Sequence, residues 1–222
     1  MKLYIYCAGG FGFESMDLAR RINDVTNQWD AISFIDDVRI ENEVYGAAIF
    51  KYEEVINCCG ELEVSIANGE PFVRKAIYEK LVSNNIKIAT LIDSTAIVSK
   101  FATIGDGVTI PAFCFVSSLA KIEKNVTLNA GTLIGHHTVI SENCVISSAV
   151  NIAGNCIVGK NSYIGMGCQI KQGTRIGEGA IIGMGSVVYN DVPDGVIALG
   201  NPARPMKNNT DHRVFSKPDA KE

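Results

Sequence analysis

Residues 96–191, cut into sixes, read AIVSKF, ATIGDG, VTIPAF, CFVSSL, AKIEKN, VTLNAG, TLIGHH, TVISEN, CVISSA, VNIAGN, CIVGKN, SYIGMG, CQIKQG, TRIGEG, AIIGMG and SVVYND. The third place of every piece is aliphatic, from Val98 through Ile134 and Ile152 to Val188, without one insertion. The first place holds only Ala, Cys, Ser, Thr or Val. Places one and three are two residues apart, so on a strand they share one face. That face carries a small and a large side chain in every six. Gly recurs just after the aliphatic residue, at Gly105, Gly135, Gly159, Gly165, Gly177 and Gly183, where a corner would strain other residues. A short strand and a corner at a fixed period predict a solenoid of stacked parallel strands.

Cys114, Cys144, Cys156 and Cys168 all occupy the first place and are expected as small, buried, unpaired side chains. The chain has seven cysteines, and its opening Met1-Lys2-Leu3-Tyr4-Ile5-Tyr6 reads as a first strand, not as a signal peptide. Free thiols in such a chain point to the cytoplasm. The formal net charge of −4 gives no pull toward nucleic acid or acidic membranes. No apolar run approaches the ~20 residues of a membrane-spanning helix, so membrane insertion is not expected.

Residues 1–92 have another rhythm. Leu3–Tyr6, Ala31–Ile35, Val64–Ala67 and Ile86–Leu91 read as strands, with helices expected from about Phe13 to Asn23 and from Pro71 to Ser83. Pro71 suits a first helical turn. The alternation predicts a small parallel α/β domain, Rossmann-like, whose ligand binds beyond the carboxyl ends of its strands. The turn Ala8-Gly9-Gly10-Phe11-Gly12 is similar to a dinucleotide fingerprint but lacks the third glycine; a plain tight strand-to-helix turn is the alternative. Asp36 stands at the tip of the second strand, where it suits either a ribose or base contact or a solvated acidic loop. The expected divisions are an N-terminal domain over 1–92, a β-helix over 93–192 and a C-terminal extension over 193–222. The extension's polar residues from Asn208 suggest a mobile end.

A Rossmann-like domain followed by hexapeptide repeats resembles the bacterial sugar acetyltransferases that include sialic acid O-acetyltransferases and the bacillosamine-pathway N-acetyltransferase. The resemblance rests on Tyr6-Cys7-Ala8-Gly9-Gly10-Phe11-Gly12, Phe34-Ile35-Asp36-Asp37, Ile66-Ala67-Asn68-Gly69, Leu133-Ile134-Gly135-His136 and Gly200-Asn201-Pro202-Ala203-Arg204. It implies a left-handed parallel β-helix with three strands per triangular coil, a prism ~25 Å tall at ~4.8 Å per stacked strand. It also implies a homotrimer with acetyl-CoA between neighbouring prisms and the acceptor's nucleotide on the N-terminal domain. Gly9, Gly10, Asp36 and Asp37 occupy the matching nucleotide positions, and Phe11, Gly12 and Asn68 complete the candidate substrate-binding set. His136 matches the catalytic histidine. His137 stands where bacillosamine-type enzymes have glutamate, Val145 replaces a second family histidine, and Phe11 replaces a histidine found in some sequences.

Acetyl transfer from a thioester needs a base, an oxyanion donor and a way to hold both substrates together. An unperturbed imidazole is suited to the first task. Of the three histidines, His136 and His137 share a predicted corner, whereas His212 lies in the polar tail. With an eighteen-residue coil, Ser118 lies one coil below His136 and Gly154 one coil above. Gly154 would leave room for a ligand and offer its N–H to the oxyanion, as the matching family position does. Lys160, Lys171, Arg175 and Arg204 are candidate cations for the phosphates of coenzyme A. Only two histidines lie in the coil, and they are adjacent, which does not suit a three-histidine zinc centre, so no metal is expected. The expected reaction is N-acetylation of a nucleotide-linked amino sugar. O-acetylation of a sugar such as sialic acid stays open, as does a non-catalytic binding or scaffold role.

Overall fold

A computed structural model describes residues 1–57 and 60–215. The N-terminal domain is a six-stranded sheet in the order β3-β4-β2-β1-β5-β6. Its strands are β1 (Lys2–Tyr6), β2 (Ala31–Ile35), β3 (Glu43–Val44), β4 (Ala47–Phe50), β5 (Leu62–Ile66) and β6 (Lys87–Ile88). All pairs are parallel except β3 with β4. Helix α1 (Gly10–Thr26) packs on one side of the sheet with Leu3 and Ile5, through Met16, Leu18 and Ala19. Helices α2 (Tyr52–Ile56) and α3 (Pro71–Ser83) cover the other side with Tyr4 and Tyr6, through Val55, Ile77 and Leu81. The chain leaves β1 toward β2 on one side and takes up β5 on the other. The topological switch point therefore lies between the carboxyl ends of β1 and β5.

Three local features differ from the sequence expectation. α1 starts at Gly10 and not Phe13, so the glycine-rich turn is the helix's own first turn. The strand expected at Ile86–Leu91 is split, because Leu91–Ile92 (β7) pairs with the strand at Thr109–Ile110 and begins the β-helix. The hairpin β3–β4 and the short α2 carry no hydrophobic periodicity long enough to read.

From β8 (Ile97–Val98) to β23 (Val187–Val188), sixteen two-residue strands recur every six residues. Each as far as Gln169–Ile170 (β20) pairs in parallel with the strand eighteen residues on, as Leu133 does with Asn151 and Val139 with Ile157. The result is a left-handed parallel β-helix with three faces. The first contains β7, β10 and every third strand to β22; the second runs from β8 to β23; the third runs from β9 to β21. The hairpin of β24 (Val196–Gly200) and β25 (Ala203–Asn208) extends the first face through β22 and caps that end.

The third-place aliphatics from Ile110 to Val188 fill the prism axis and are almost wholly buried. Each such side chain gains ~1.5–3 kcal/mol by leaving water. The first place is small for space, but it also donates. Cys114, Cys144, Cys156 and Cys168 each point a thiol at a carbonyl fifteen residues on, at 3.0–3.3 Å. Thr132, Thr138 and Ser162 do the same with hydroxyls at 2.7–3.0 Å.

The fourth-place glycines are required for a reason other than corner strain. A Cβ on Gly159 would stand 2.5 Å from the Glu178 amide nitrogen of the next coil, so the constraint is close backbone approach. The left-handed residues are those of the sixth place, from Gly107 to Gly185.

The described part of the C-terminal extension is packed, against the expectation of a loose end. Asn209 Nδ2 donates to Gly179 O at 2.9 Å, and residues 211–215 lie on the N-terminal domain. The rest of that expectation, residues 216–222, lies outside the described residues. Among the described residues no helix is long and apolar enough to cross a membrane.

Burial pushes the Cys114 thiol up to about 11 and the Cys144 thiol up to about 12, and raises those of Cys156 and Cys168 as well. At pH 8 these groups stay protonated and are poor nucleophiles. Site-mapped labelling with a thiol reagent at pH 8 should leave all four unmodified in the native protein and modify them after unfolding. Rapid native labelling of the four would contradict the inward register.

Candidate active site

His136 and His137 occupy the corner that joins the second face to the third, between β14 (Leu133–Ile134) and β15 (Val139–Ile140). His137 holds the left-handed sixth place at φ 57°. Its backbone N–H donates to Ser118 O, one coil below, at 3.2 Å. This turn sets the two imidazoles nearly perpendicular, at 87°, with their Nδ1 atoms 3.2 Å apart. One nitrogen of such a pair must donate and the other accept. If His136 Nδ1 donates, the lone pair of His136 is on Nε2, facing away from its partner. His137 then supplies the orienting acceptor that sequence reasoning left unassigned.

Gly154 lies directly over this ring. A Cβ there would meet His136 Cε1 at 2.5 Å and Nε2 at 2.6 Å. The space expected for a ligand is thus filled by the imidazole itself. The Asn155 N–H anchors the corner by donating to His136 O at 2.8 Å. The Gly154 N–H donates to no acceptor among the described residues.

A groove of about 630 Å³ runs from His136 along the second face, lined by Phe115, Leu133, Asn151, Gln169, Lys171 and Tyr189 among others. Of the four candidate cations, Lys171 alone lines it. Lys160 pairs with Glu142 at 3.3 Å on the corner between the third and first faces. Arg175 stands on the third face and Arg204 on the capping hairpin. The groove's polar residues Asn151 and Gln169 escaped the sequence reading because the second place alternates freely between polar and apolar.

The N-terminal candidates gather at the switch point. Gly9 and Gly10 have open space where side chains would stand, whereas a Cβ on Gly12 would lie 2.1 Å from Cys7 O. The first two glycines therefore leave room above the turn, and the third lets α1 approach β1. Residue 9 caps α1 without a side-chain hydrogen bond, so the first amides of the helix are open to an anion. Phe11 lines the cleft between this turn and the first face.

Asp36 is already engaged. Oδ2 accepts the Ala8 N–H at 2.9 Å, and Oδ1 accepts those of Val38 and Arg39 at 3.0 Å each. Burial alone would raise its carboxyl, but these amides outweigh it and hold the group below its ordinary value. Asp37 is likewise lowered, burial being outweighed by the Tyr52 amide, the Tyr6 hydroxyl and Lys80. Asn68 closes the edge of the crevice, with Oδ1 accepting the Glu70 N–H at 3.0 Å and Nδ2 reaching Cys7 Sγ at 3.6 Å. Two cations missed by sequence reasoning border the turn. Arg39 Nε donates to Ala8 O at 2.8 Å, and Arg74 reaches Ile66 O at 2.6 Å and Asn68 O at 3.2 Å. A solitary arginine in a helical first turn carries no sequence signal for such a place.

Two parts of the chain match known families. Residues 2–81 match the PglD N-terminal domain, and residues 137–172 and 155–190 match the bacterial transferase hexapeptide (six repeats). The acetyltransferase domain of PglB from Neisseria gonorrhoeae FA1090 is similar at 29% identity, covering 92% of this chain and 99% of that one, with a TM-score of 0.87. That domain is also known in complex with acetyl coenzyme A. WeeI from Acinetobacter baumannii AYE is similar at 29% identity, over 93% of this chain and 100% of that one, with a TM-score of 0.87. PerB from Caulobacter crescentus shares the fold at 22% identity, over 93% and 98%, with a TM-score of 0.84. The chain is an acetyl-CoA-dependent acetyltransferase of the hexapeptide-repeat fold, and a region matching the PglD N-terminal domain precedes its β-helix.

Gly154→Ala should push the His136 ring off its seat while leaving the prism core untouched. Displacing a reacting group by about 1 Å costs on the order of 10²-fold in rate. Steady-state acetyl transfer should fall by about that factor at an unchanged melting temperature; an unaltered kcat would show that the ring position is immaterial.

Proposed function

We propose that this chain transfers the acetyl group of acetyl-CoA to the amino group of a nucleotide-linked sugar, of the UDP- or dTDP-4-amino-4,6-dideoxy type, in surface-glycan synthesis. The observation that carries this reading is the corner where His136, which lines the groove, has its Nδ1 partner His137 beside it and Gly154 packed over its ring. Acetyl-CoA is the donor, in keeping with the bound acetyl coenzyme A of the similar PglB domain. Lys171 is the groove cation suited to the coenzyme's phosphates.

In this mechanism the acceptor amine attacks the thioester carbonyl and His136 Nε2 takes the proton that the nitrogen loses. The carbonyl oxygen becomes an oxyanion, which the Gly154 N–H stabilises. Collapse breaks the C–S bond, and the imidazolium returns its proton to the departing thiolate. His137 keeps the His136 ring in the Nδ1–H tautomer throughout. The acceptor's diphosphate rests on the open amides at the start of α1, over Gly9 and Gly10, with Asp36 shaping that turn.

The same reading calls for a homotrimer. The N-terminal domain lies against the first face: Phe11, Asp17 and Arg21 share a cleft with Thr109, Ala130 and Ser148. His136 stands at the corner between the other two faces, the corner furthest from it. One chain thus holds acceptor and base on opposite sides of its prism, and a cyclic neighbour would unite them. Ile97, Phe115 and Leu133 leave an apolar strip exposed on the second face, which suits such a contact. The free thiols suit a cytoplasmic enzyme.

An acetyl-CoA consumption assay across UDP- and dTDP-amino sugars and sialic acids tests the substrate class; turnover of sialic acids alone would overturn N-acetylation. Removing a general base costs ~10²–10⁴-fold. His136→Ala should therefore lower kcat by at least ~10²-fold with little change in acetyl-CoA affinity, and His137→Ala should be milder. Near-normal kcat for His136→Ala across pH 6–9 would remove the base from the mechanism.

A further inference from the structure

Past β25 the chain turns back over the switch-point crevice. His212 lies on the Phe72 ring, with centroids 4.3 Å apart. The backbone N–H groups of Val214 and Phe215 both donate to the Glu70 carboxylate, at 2.8 Å each. Glu70 stands at the N-cap of α3 yet makes no cap bond with its side chain; the carboxylate is spent on the tail. The Phe215 ring meets Tyr163 edge-on at 5.7 Å and comes within 3.3 Å of where a Cβ on Gly69 would stand. A side chain at residue 69 would press the ring outward by a few tenths of an ångström. Residues 211–215 thus form a strap fastened beside the crevice loop.

The ring does not merely seal a seam between domains, since 54% of Phe215 remains exposed. It forms one wall of a cavity of about 350 Å³ that opens from Gly10, at the start of α1, and is lined also by Phe11, Glu14, Asn129 and Tyr163. Aromatic walls and one carboxylate next to the open amides of α1 make a site for a ring with apolar C–H edges and polar substituents.

We propose that Phe215, held by Glu70, is a specificity-determining wall of the acceptor site and packs against the sugar ring of the nucleotide-linked acceptor. This rests on the function proposed above. The diphosphate lies on the α1 amides, the nucleoside extends toward the β2 side, and the sugar enters the cavity under the strap. Glu14 faces the same cavity and suits hydrogen bonds from the sugar's hydroxyl groups.

The test compares the wild-type protein with Phe215→Ala, Phe215→Tyr, Glu70→Ala and the double variant Glu70→Ala/Phe215→Ala, using the UDP- or dTDP-amino sugar that the wild type acetylates best. Phe215→Ala and Glu70→Ala should each raise the acceptor KM about fivefold or more, with the acetyl-CoA KM within about twofold of wild type. Phe215→Tyr should stay near wild type, and the double variant should be no worse than either single one, because both remove the same contact. Binding of free UDP or dTDP, measured by calorimetry, should be unchanged. An unaltered or lowered acceptor KM in Phe215→Ala, or an equal rise for both substrates, overturns the strap's role while leaving the proposed function standing. Absence of any turnover by the wild type across the amino-sugar nucleotides counts against both.

Discussion

Each coil of the prism must lie in register on the one below, eighteen residues back, and this constraint shapes every corner of the molecule. To turn within so few residues, the sixth place adopts φ between 55° and 79° in every repeat from Gly107 to Gly185. Glycine and asparagine fill most of these places at little cost; His137 fills one at a cost of ~1–2 kcal/mol. A left-handed histidine is strain kept at a candidate functional corner, and its return is geometric. The backbone that strains His137 also aims its Nδ1 at His136. The same stacking sets the bare Gly154 over the His136 ring. The pair therefore depends on the coil geometry and not on a purpose-built loop.

A second constraint joins the two domains. Arg74 is wholly buried, with no carboxylate partner among the described residues. Its guanidinium donates to Ile66 O and Asn68 O on one side and to Asn125 O and Oδ1 on the other. Burial lowers its pKa to about 10, which still leaves it charged at neutral pH. Beyond Asn125 the bonds continue in one direction, from Asn125 to Asn143, to Asn161 and to the Glu178 carboxylate. A chain of amides running from a cation to an anion polarises each link. It ties the crevice loop at Asn68 to a corner of the prism, so the N-terminal domain meets the first face in a fixed pose.

The repeat was fully readable in the sequence because its cause is local: one aliphatic side chain per strand and one corner per six residues. Ala31–Ile35 and Pro71–Ser83 were readable for the same reason. The start of α1 differs from the sequence expectation because Gly10 and Gly12 have poor helix propensity, whereas residue 12 must be glycine because a Cβ there would collide with Cys7 O. At the candidate site, His136 and Gly154 follow from arithmetic with the period. The Nδ1 contact, the Arg74 pin and the Phe215 strap do not. They join residues such as 70 and 215, or 74 and 125, that no periodicity relates.

The glycine-rich turn and His136 lie on opposite sides of one prism, so the proposed function requires a working centre that draws on two chains. Co-expression of two inactive forms tests this most directly: one with His136→Ala, the other with Gly10→Glu, which places a carboxylate over the α1 amides. Random assembly of equal amounts into cyclic trimers leaves about one quarter of the centres with an intact turn from one chain and an intact histidine from the next. Recovery of about that fraction of wild-type acetyl transfer is the expected result. Mixed assemblies as inactive as either parent would mean that turn and histidine serve the same chain, and would contradict the shared centre.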